Sequence, residues 1–422
     1  MATQGNTGGG NAVTVQTPQP QTSLQAPGGP FRRYTFASNA PMYTVAGQAF
    51  GATVTQPLVA TSAYARGFRV NIATVGGTGA TTAAYVGIYN GSGPSTAVSD
   101  APFNIVAQVL LQDAEGNNII SLPGWEALYL LPLINGSLAA QDQAQFSALP
   151  SFVGMVTTAG VYTAPGVGNF SFESYLPLEY LAGGIGVLGM NAASQLPQIT
   201  WTLAQSSAVY ATAPATLPTV TLQVDCTDYL IPNSVNIAPP QLGSSRQYKV
   251  LQGVPSVTSA TNTPIYFPAY GGGYVDQLIF EARASGVRTD AAWPARLKLY
   301  IDGQLVDQPT LIRKYDDFAI AFGLSSGGGQ AYAGGTAGYS GPTGAAAPAG
   351  TSLRPTGVLV WNFRNALSQL NLGLLDSAEA YVSTTSQSVI QLGDIFQGTA
   401  QVNLIVGQVI PNATPAYGVT GA

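Results

Sequence analysis

Short stretches of alternating or clustered apolar residues follow one another along most of the chain, and glycine, proline and asparagine separate them. In PTVTLQVDCTDYLIP (218–232), every second residue from Val220 to Cys226 is apolar, so these side chains share one face of a strand. Many short strands with frequent turns are typical of a β-sandwich or β-barrel. The other predicted strands are FRRYTF (31–36), GFRVNIATV (67–75), TTAAYVGIY (81–89), FNIVAQVLLQD (103–113), IISL (119–122), NFSFESYLPLEY (169–180), LPQITWTLA (196–204), RQYKVLQG (246–253), TPIYFPA (263–269), YVDQLIFEARA (274–284), ARLKLYIDGQLVDQ (295–308) and GVLVWNF (357–363).

Two stretches have helical spacing instead. PGWEALYLLPLI (123–134) begins with a proline, which suits the first turn of a helix, and Leu128 and Tyr129 follow Trp125 by three and four residues. PTLIRKYDDFAIAFGL (309–324) has apolar residues at the same kind of spacing. These residues are Leu311, Tyr315, Phe318 and Phe322. We therefore predict two short helices that rest on the β-structure.

The second half of the chain repeats the order of elements in the first. VLLQDAEGNNII (109–120) precedes the first predicted helix, as LKLYIDGQLVDQ (297–308) precedes the second, and Asp302-Gly303 in the latter is a hairpin signal. YLIP (229–232) closes the first half as QVIP (408–411) closes the second, at an offset of roughly 180–190 residues. Two copies of one β-sandwich are the simplest interpretation.

The composition of the intervening segments predicts the domain boundaries. The first 30 residues carry no charge and are rich in Gly, Gln, Thr and Pro, which predicts a flexible arm; an arm that orders on a neighbouring subunit and a plain disordered tail are the two alternatives. The arm has neither the basic start nor the apolar run of a signal peptide. No apolar stretch reaches the length of a transmembrane helix. The predicted units are the arm 1–30, a first sandwich 31–232, a linker 233–245, a second sandwich 246–412 with a Gly/Ala-rich surface loop 325–350, and a C-terminal tail 413–422.

The composition also excludes several kinds of chemistry. The 422 residues include 14 Lys and Arg, 19 Asp and Glu, no His and one Cys. A zinc site of the usual nitrogen and sulfur type, a Ser-His-Asp triad, a Cys-His pair and an internal disulfide are therefore excluded. Cys226 lies on the apolar face of its strand and is expected to be a buried thiol. A chain with 8% charged residues risks self-association, which is no fault in a protein that assembles with its own copies.

Close acidic pairs are the remaining candidates for chemistry, and they are Asp113 with Glu115, Asp225 with Asp228, and Asp316 with Asp317. Paired carboxylates carry out glycoside hydrolysis, but the first pair lies in a predicted turn, where Asp is favoured for local hydrogen bonding. The last pair follows Arg313 and Lys314 on the second predicted helix, which indicates a solvated face. We therefore predict no catalytic, cofactor-binding or metal-binding residues.

Charge is distributed unevenly between the halves. Residues 1–232 have four basic and nine acidic residues, whereas residues 233–422 have ten of each. No basic residue occurs between Arg69 and Arg246. One interpretation is that the carboxylates of the first sandwich find their cations largely across subunit boundaries; chance at low charge density is the alternative.

Four residues are the candidate interaction sites. Arg32 and Arg33 lie at the exit of the arm, where a phosphate head group, nucleic acid or a neighbouring carboxylate would bind them; a solvated pair is the plainer interpretation. Asp225 and Asp228 lie at the end of the first sandwich. With a net charge of −5, the chain as a whole is not an electrostatic partner for nucleic acid.

An ordered set of stretches resembles the double-jelly-roll major capsid protein of tectivirus-like, membrane-containing icosahedral phages. The set covers most of residues 31–412 and consists of VLLQDAEGNNIISLPGWEALYLL (109–131), FSFESYLPLEYLAGGIGVLGMNAASQLPQITWTLA (170–204), VDCTDYLIP (224–232), GVLVWNFRNALSQLNLG (357–373) and VNLIVGQVIP (402–411). The chain departs from that family at its neutral arm, where the family often has a basic amphipathic helix, and in the loop 325–350.

The resemblance implies an all-β fold of two tandem eight-stranded jelly rolls with short helices between strands. It implies a structural, non-enzymatic homotrimer with a near-hexagonal outline that tiles an icosahedral virion shell over an internal membrane, after assembly in the host cytoplasm. The implied partners are neighbouring trimers, vertex (penton) and minor capsid proteins and the internal lipid membrane, with no sequence-specific nucleic acid and no cofactor. In that family, loops such as 325–350 rise outward as a tower.

Two functions of other classes stay open at this point. A β-sandwich adhesin or virion spike would bind carbohydrate, for which Tyr332 and Tyr339 in the Gly-rich loop are candidates because aromatic rings stack on sugars. A glycoside hydrolase of sandwich fold would use Asp113 and Glu115.

Overall fold

The computed structural model describes residues 35–58, 63–77, 82–83, 103–134, 156–158, 161–163, 171–179, 187–190, 196–213, 215–230, 245–251, 265–268, 273–284, 286–321, 357–362, 382–384, 389–393, 396 and 400–410. The strands of the first half are β1 (Phe36–Gln48), β2 (Thr53–Pro57), β3 (Ala63–Val75), β4 (Thr82–Ala83), β5 (Val106–Gln112), β6 (Asn118–Leu122), β7 (Val156–Thr158), β8 (Val161–Thr163), β9 (Ser171–Pro177), β10 (Leu188–Gly189), β11 (Gln198–Leu203), β12 (Tyr210–Thr212) and β13 (Thr219–Leu230).

Two antiparallel sheets enclose the core of the first half. One has the order β1-β13-β3, and both β9 and β10 pair with β3. The other runs β6-β5-β11-β2. The alternation that the sequence predicts for β13 is confirmed, since Val220, Leu222, Val224 and Cys226 are fully buried between the sheets. Trp201 of β11 fills the middle of this core and donates a hydrogen bond from Nε1 to Tyr43 Oη at 2.9 Å.

A short helical segment follows β6 and belongs to the core of the first half. It contains a π-helical turn (Glu126–Leu130) and then the α-helix α1 (Leu131–Ile134), and every one of these nine residues is buried. Gly124 opens the segment against the backbone of the preceding turn, where a Cβ atom would overlap the carbonyl oxygens of Phe103 and Val106. The predicted helix over 123–134 is therefore confirmed, and its close approach requires the glycine.

The second half has the strands β14 (Ser245–Leu251), β15 (Ile265–Pro268), β16 (Gly273–Ala284), β17 (Val287–Arg288), β18 (Lys298–Ile301), β19 (Gln304–Asp307), β20 (Val358–Asn362), β21 (Val382–Thr384), β22 (Val389–Gly393) and β23 (Gln401–Ile410), and the helix α2 (Leu311–Ala321). One set of strands runs β14-β23-β16, with β17, β20 and β21 also paired to β16. A second sheet runs β15-β22-β18-β19. Asp302 and Gly303 join β18 to β19 with φ values of 52° and 77°, which confirms the predicted hairpin.

The same strand order occurs in both halves. The first strand of each half lies beside its last strand, and the last lies beside the third, as in β1-β13-β3 and β14-β23-β16. The opposite sheets, β2-β11-β5-β6 and β15-β22-β18-β19, also correspond strand for strand. With β9 beside β3 and β20 beside β16, each half has eight strands in the order of a jelly roll, so the predicted all-β fold of two tandem jelly rolls is confirmed.

One parallel contact joins the two halves. The Cα partners Tyr248↔Ile120 and Lys249↔Ser121 pair β14 with β6, so a ten-stranded sheet runs through both halves. Outward-facing residues of the second half pack into the core of the first, namely Ile279, Val358, Val360 and Ile405. A separate core, which contains Phe280, Trp361 and Phe396, fills the second half. The halves are thus two sandwiches with one shared apolar junction.

The strand boundaries differ from the sequence predictions in a few places. The strand predicted over 31–36 begins only at Phe36 and continues to Gln48, and residues 31–34 lie outside the described part. A 3-10 turn (Phe103–Ile105) precedes β5, and only Thr82–Ala83 of the stretch 81–89 is described. Ser245, assigned to the linker, is the first residue of β14. The remaining domain boundaries stay a prediction.

Candidate functional site

A buried group of charged residues lies at the junction of the two halves. Glu126 comes from the π-helical turn of the first half, and Glu281 and Arg283 alternate on β16 of the second. Arg288 on β17 completes the group, because the short β16–β17 hairpin places it opposite Arg283. We call Glu126, Glu281, Arg283 and Arg288 the junction cluster.

Ion pairs within the junction cluster are close and shielded from solvent. Arg283 Nη2 lies 3.2 Å from Glu126 Oε1 and 2.7 Å from Glu281 Oε1, so one guanidinium bridges carboxylates of both halves. Arg288 Nε is 3.9 Å from the same oxygen of Glu281. The side chains of Glu126 and Glu281 are 5% and 0% exposed, and that of Arg283 is 15% exposed. Burial of this kind makes the loss of one partner costly.

An aromatic ring closes the cluster from the first half. The guanidinium of Arg288 lies 3.8 Å from the centre of the Trp125 ring, a cation–π contact across the junction. Gly357, at the start of β20, has φ +74° and donates its N–H to Asp290 Oδ1 at 2.7 Å, next to the β16–β17 hairpin. A side chain at Gly357 would meet the backbone of Ala282 and Thr289 at 2.7–2.8 Å. The hairpin that carries both arginines is therefore held in one position.

The role of the junction cluster is structural. Its two carboxylates and two guanidinium groups balance in charge, and each guanidinium contacts a group across or beside the junction. Such a cluster fixes the relative placement of two packed halves, because any other placement would leave charges buried without partners. In the sequence, a lone Glu126 inside the apolar run WEALYLLPLI is the one signal of a buried charge that needs a partner.

Of the four candidate interaction residues, the structure describes Asp225 and Asp228. Arg32 and Arg33 lie outside the described residues. Asp225 lies on the outward face of the first sheet, opposite Arg69 of β3 in register, and Gln223 Nε2 donates to its Oδ2 at 3.4 Å. Asp228 is buried at 1% exposure, and this burial raises the pKa of its carboxyl group. Whether any of them contacts a partner stays a prediction.

Three carboxylates of the first half, those of Glu126, Glu173 and Glu179, find cations inside the chain, against the expectation of cross-subunit pairing. Arg66 Nε lies 2.7 Å from Glu179 Oε2, and Arg69 Nη1 lies 3.5 Å from Glu173 Oε1. Glu126 pairs with Arg283 of the second half, as described above. The expectation is wrong for these three acids because antiparallel pairing places β9 beside β3, and because the junction brings in a distant arginine.

Asp113 and Glu115 occupy a turn. Asp113 Oδ1 accepts hydrogen bonds from the N–H groups of Glu115 at 2.9 Å and Asn117 at 2.8 Å, and Oδ2 accepts one from Asn117 Nδ2 at 3.1 Å. Gly116 completes the turn with φ +83°. This confirms the turn role that the sequence favoured and gives no support to the pair as hydrolytic acid and base.

The predicted solvated face of α2 is only partly correct. Arg313 is exposed, and its Nε lies 4.0 Å from Oδ1 of the half-exposed Asp317. Lys314, however, is 8% exposed in its side chain, with Nζ 4.3 Å from the centre of the Trp361 ring and 3.9 Å from Asp307 Oδ2. Burial lowers its pKa to about 8. The ammonium group is buried because α2 lies against β20 beside the β18–β19 hairpin, which no local pattern reveals; the side chain of Asp316 lies outside the described residues.

The remaining chemical candidates are inert or outside the described residues. Burial raises the pKa of the Cys226 thiol to about 12, with nearby Asp228 adding to the effect. Among the described residues there is no group of three or more Cys, Asp or Glu that would hold a metal ion, and no helix there is long and apolar enough to cross a membrane. Tyr332, Tyr339 and the loop 325–350 that contains them lie outside the described residues.

Comparison with known proteins gives a fold and no sequence family. No family model matches the chain, and no curated protein matches it in sequence. Among solved structures, the STIV MCP is 14% identical with a TM-score of 0.53, over 89% of this chain and 97% of that chain. A chain in the atomic structure of Sulfolobus Turreted Icosahedral Virus is 12% identical with a TM-score of 0.51, over 89% of this chain and 91% of that one.

A chain of the PBCV-1 virus capsid is 11% identical with a TM-score of 0.51, over 89% of this chain and 93% of that chain. The chain has the double-jelly-roll fold. The likeness extends over almost the whole length of both partners in each comparison, so both jelly rolls and their arrangement are shared. The structures compared include archaeal and algal viruses, and the fold likeness therefore reaches beyond the phages that the sequence resembles.

Proposed function

We propose that this protein is a structural major capsid protein whose homotrimers, with a pseudo-hexagonal outline, tile an icosahedral virion shell. The observation that carries the proposal is the double jelly roll itself, similar over about nine-tenths of each chain to capsid proteins of icosahedral viruses. The function is architectural, and the buried groups of the junction serve to hold the two rolls in one body.

The way in which the rolls are joined supports a six-fold outline. Each chain contributes two sandwiches of one topology that share a ten-stranded sheet and an apolar junction. Three chains then supply six similar blocks, which can surround one axis at near-equal spacing. A low content of charged side chains suits the large lateral contacts of such a block, because few charges would be buried without partners.

The proposal includes the partners and the location of the protein. Neighbouring trimers, vertex (penton) proteins and minor capsid proteins surround the trimer in the virion shell, and an internal lipid membrane lies beneath it. The protein assembles in the host cytoplasm and takes no cofactor.

Mass measurement of the purified protein is the direct test. Light scattering coupled to size exclusion is expected to give about 130 kDa, three times the chain mass of 43.3 kDa. Electron micrographs of the same fraction are expected to show near-hexagonal particles with six similar density blocks. A protein that stays at 43.3 kDa at all concentrations would count against the proposal.

A further inference from the structure

The contact that joins the two halves is made between different surfaces of similar bodies. Strand β6, the last of the β2-β11-β5-β6 set in the first half, pairs in parallel with β14, the first strand of the second half. In the repeated strand order, β19 of the second half corresponds to β6, and β1 of the first half corresponds to β14. A second contact of the same kind would therefore join β19 to β1. Within the described part of the chain, β19 pairs only with β18, and β1 pairs only with β13.

Apolar residues on β19 correspond in position to residues that are buried on β6. Ile119 and Ile120 come four and three residues before Pro123 and are 1% and 0% exposed. Leu305 and Val306 come four and three residues before Pro309 and are 49% and 43% exposed. The same positions are therefore covered in the first half and uncovered in the second.

The helix that follows each strand has the same difference. Glu126 lies three residues after Pro123, is 4% exposed and contacts the second half through Arg283. Ile312 lies three residues after Pro309 and is 72% exposed, the highest value among the large apolar side chains of the described residues. Solvent-exposed aliphatic side chains grouped on one edge indicate a contact surface.

Strand β1 has the properties of a receiving edge. It is 13 residues long and carries no charged residue, whereas exposed edges are usually protected by charges. Phe36 at its start is 56% exposed. Pro41 and two register shifts interrupt the strand, so the stretches between them, and not one continuous edge, are free to pair with another chain.

We propose that β19 and Ile312 of one chain dock on the β1 edge of the next chain, in the parallel arrangement that β6 and β14 adopt within a chain. The occupant of each edge is a second copy of this protein. The inference rests on the trimer of the proposed function and names its interface. A contact between unlike surfaces forms a closed ring when the rotation from one chain to the next divides a full turn evenly. In a ring of three chains, three junctions within chains would alternate with three contacts between chains.

The two kinds of contact differ in chemistry. Within the chain, the receiving face of the second half combines apolar residues such as Ile279 and Val360 with the buried ion pair of Glu281 and Arg283. The outward face of the first sheet carries Arg69 and Glu173, 60% and 51% exposed, and Asp225. A polar receiving face suits a contact formed between chains that are already folded, because such interfaces are more polar than a core.

Substitutions on β19 and α2 test the docking. Val306→Asp and Ile312→Asp place a charge at side chains that are exposed in the single chain, so each chain is expected to fold, as near-ultraviolet circular dichroism checks. The mass is expected to fall about threefold, from about 130 kDa to 43.3 kDa. Leu217→Asp, at a loop residue that is 44% exposed, is the matched control and is expected to stay trimeric.

Hydrogen exchange gives a second measurement that needs no variant. In the wild-type trimer, amides of Phe36–Gln48 and Gln304–Asp307 that have no partner within the chain are expected to exchange more slowly than in the Ile312→Asp monomer. The docking would be overturned if both variants stayed trimeric, or if these amides exchanged fast in the wild-type trimer. Either result would leave the capsid proposal standing. A wild-type protein that is monomeric at every concentration would instead remove the trimer and the docking together.

Discussion

Removal of Arg283 is the most direct test of how the two halves are held together. Its guanidinium lies 3.2 Å from Glu126 of the first half and 2.7 Å from Glu281 of its own strand. The substitution Arg283→Met keeps most of the aliphatic volume and removes the charge. Two carboxylates that are 5% and 0% exposed then lose their main cation.

The expected loss is about 3 kcal/mol in the free energy of unfolding. Loss of one partner from a buried ion pair costs about 3–5 kcal/mol. The lower end applies because Arg283 is 15% exposed and because Arg288 remains 3.9 Å from Glu281. Adding Glu126→Gln and Glu281→Gln to Arg283→Met removes the unpaired charges, and we expect that triple variant to regain most of the loss.

Urea unfolding followed by tryptophan fluorescence measures the effect, since Trp125 lies against the cluster. Arg296→Met is the matched control, because Arg296 is exposed in the same half, and its expected cost is below about 0.5 kcal/mol. Equal costs for Arg283→Met and Arg296→Met would refute the assignment of the junction cluster as the element that holds the halves.

Further predictions concern single buried groups. Burial lowers the pKa of Lys314 to about 8, so the unfolded chain binds this proton more tightly and the stability of the wild-type protein should rise with pH from about 8 towards 10.5. The variant Lys314→Met should be more stable than the wild type at pH 7, by up to about 3 kcal/mol in the free energy of unfolding. In a pH series of urea titrations, this difference in stability should shrink as the pH rises. Burial raises the pKa of Asp228, so Asp228→Asn should be the more stable protein at pH 7 and lose that advantage below about pH 4 in the same series; an advantage that persists at pH 3 would contradict this cause. Gly124→Ala should lower the unfolding free energy by about 1–3 kcal/mol through overlap with backbone oxygens, whereas Gly393→Ala, where a Cβ meets a tyrosine ring atom at 3.2 Å, should cost less in matched urea titrations. The thiol of Cys226 should not react with a colorimetric disulfide reagent in the native protein and should react with one equivalent in guanidinium; prompt native reaction would mean that the strand face is open.

Local patterns predicted most of the elements. Alternation along β13, the Asp302-Gly303 hairpin and the proline-led helices depend on residues within a few positions of each other, and all are confirmed. The repeat of elements at a fixed offset also predicted two similar sandwiches, because a repeat is a property of order along the chain. The edge strand β1 was missed over most of its length, since Met42 is its one buried residue and its pairing with β13 supplies the order.

Contacts between distant segments were beyond local patterns. The sequence indicates that Glu126 is an unusual charge in an apolar helix, yet only the packed structure places Arg283 beside it, 157 positions along the chain. For the same reason, the expectation that cations of other subunits pair with the carboxylates of Glu126, Glu173 and Glu179 was wrong. Lys314 likewise became a buried group only because α2 lies against the strand that carries Trp361.

By itself, the sequence determined what this protein lacks and what its parts are: no histidine, one buried cysteine, few charges, and two runs of short strands in the same order. Those features follow from composition and from periodicities of two and about four residues, which need no knowledge of distant contacts. The tertiary structure alone decided that β6 meets β14 in parallel, which charges share the junction, and which apolar residues remain uncovered on β19. The pairing of β6 with β14 and the ion pairs of the junction join segments more than a hundred residues apart. The sequence of one strand does not specify the partner that covers it.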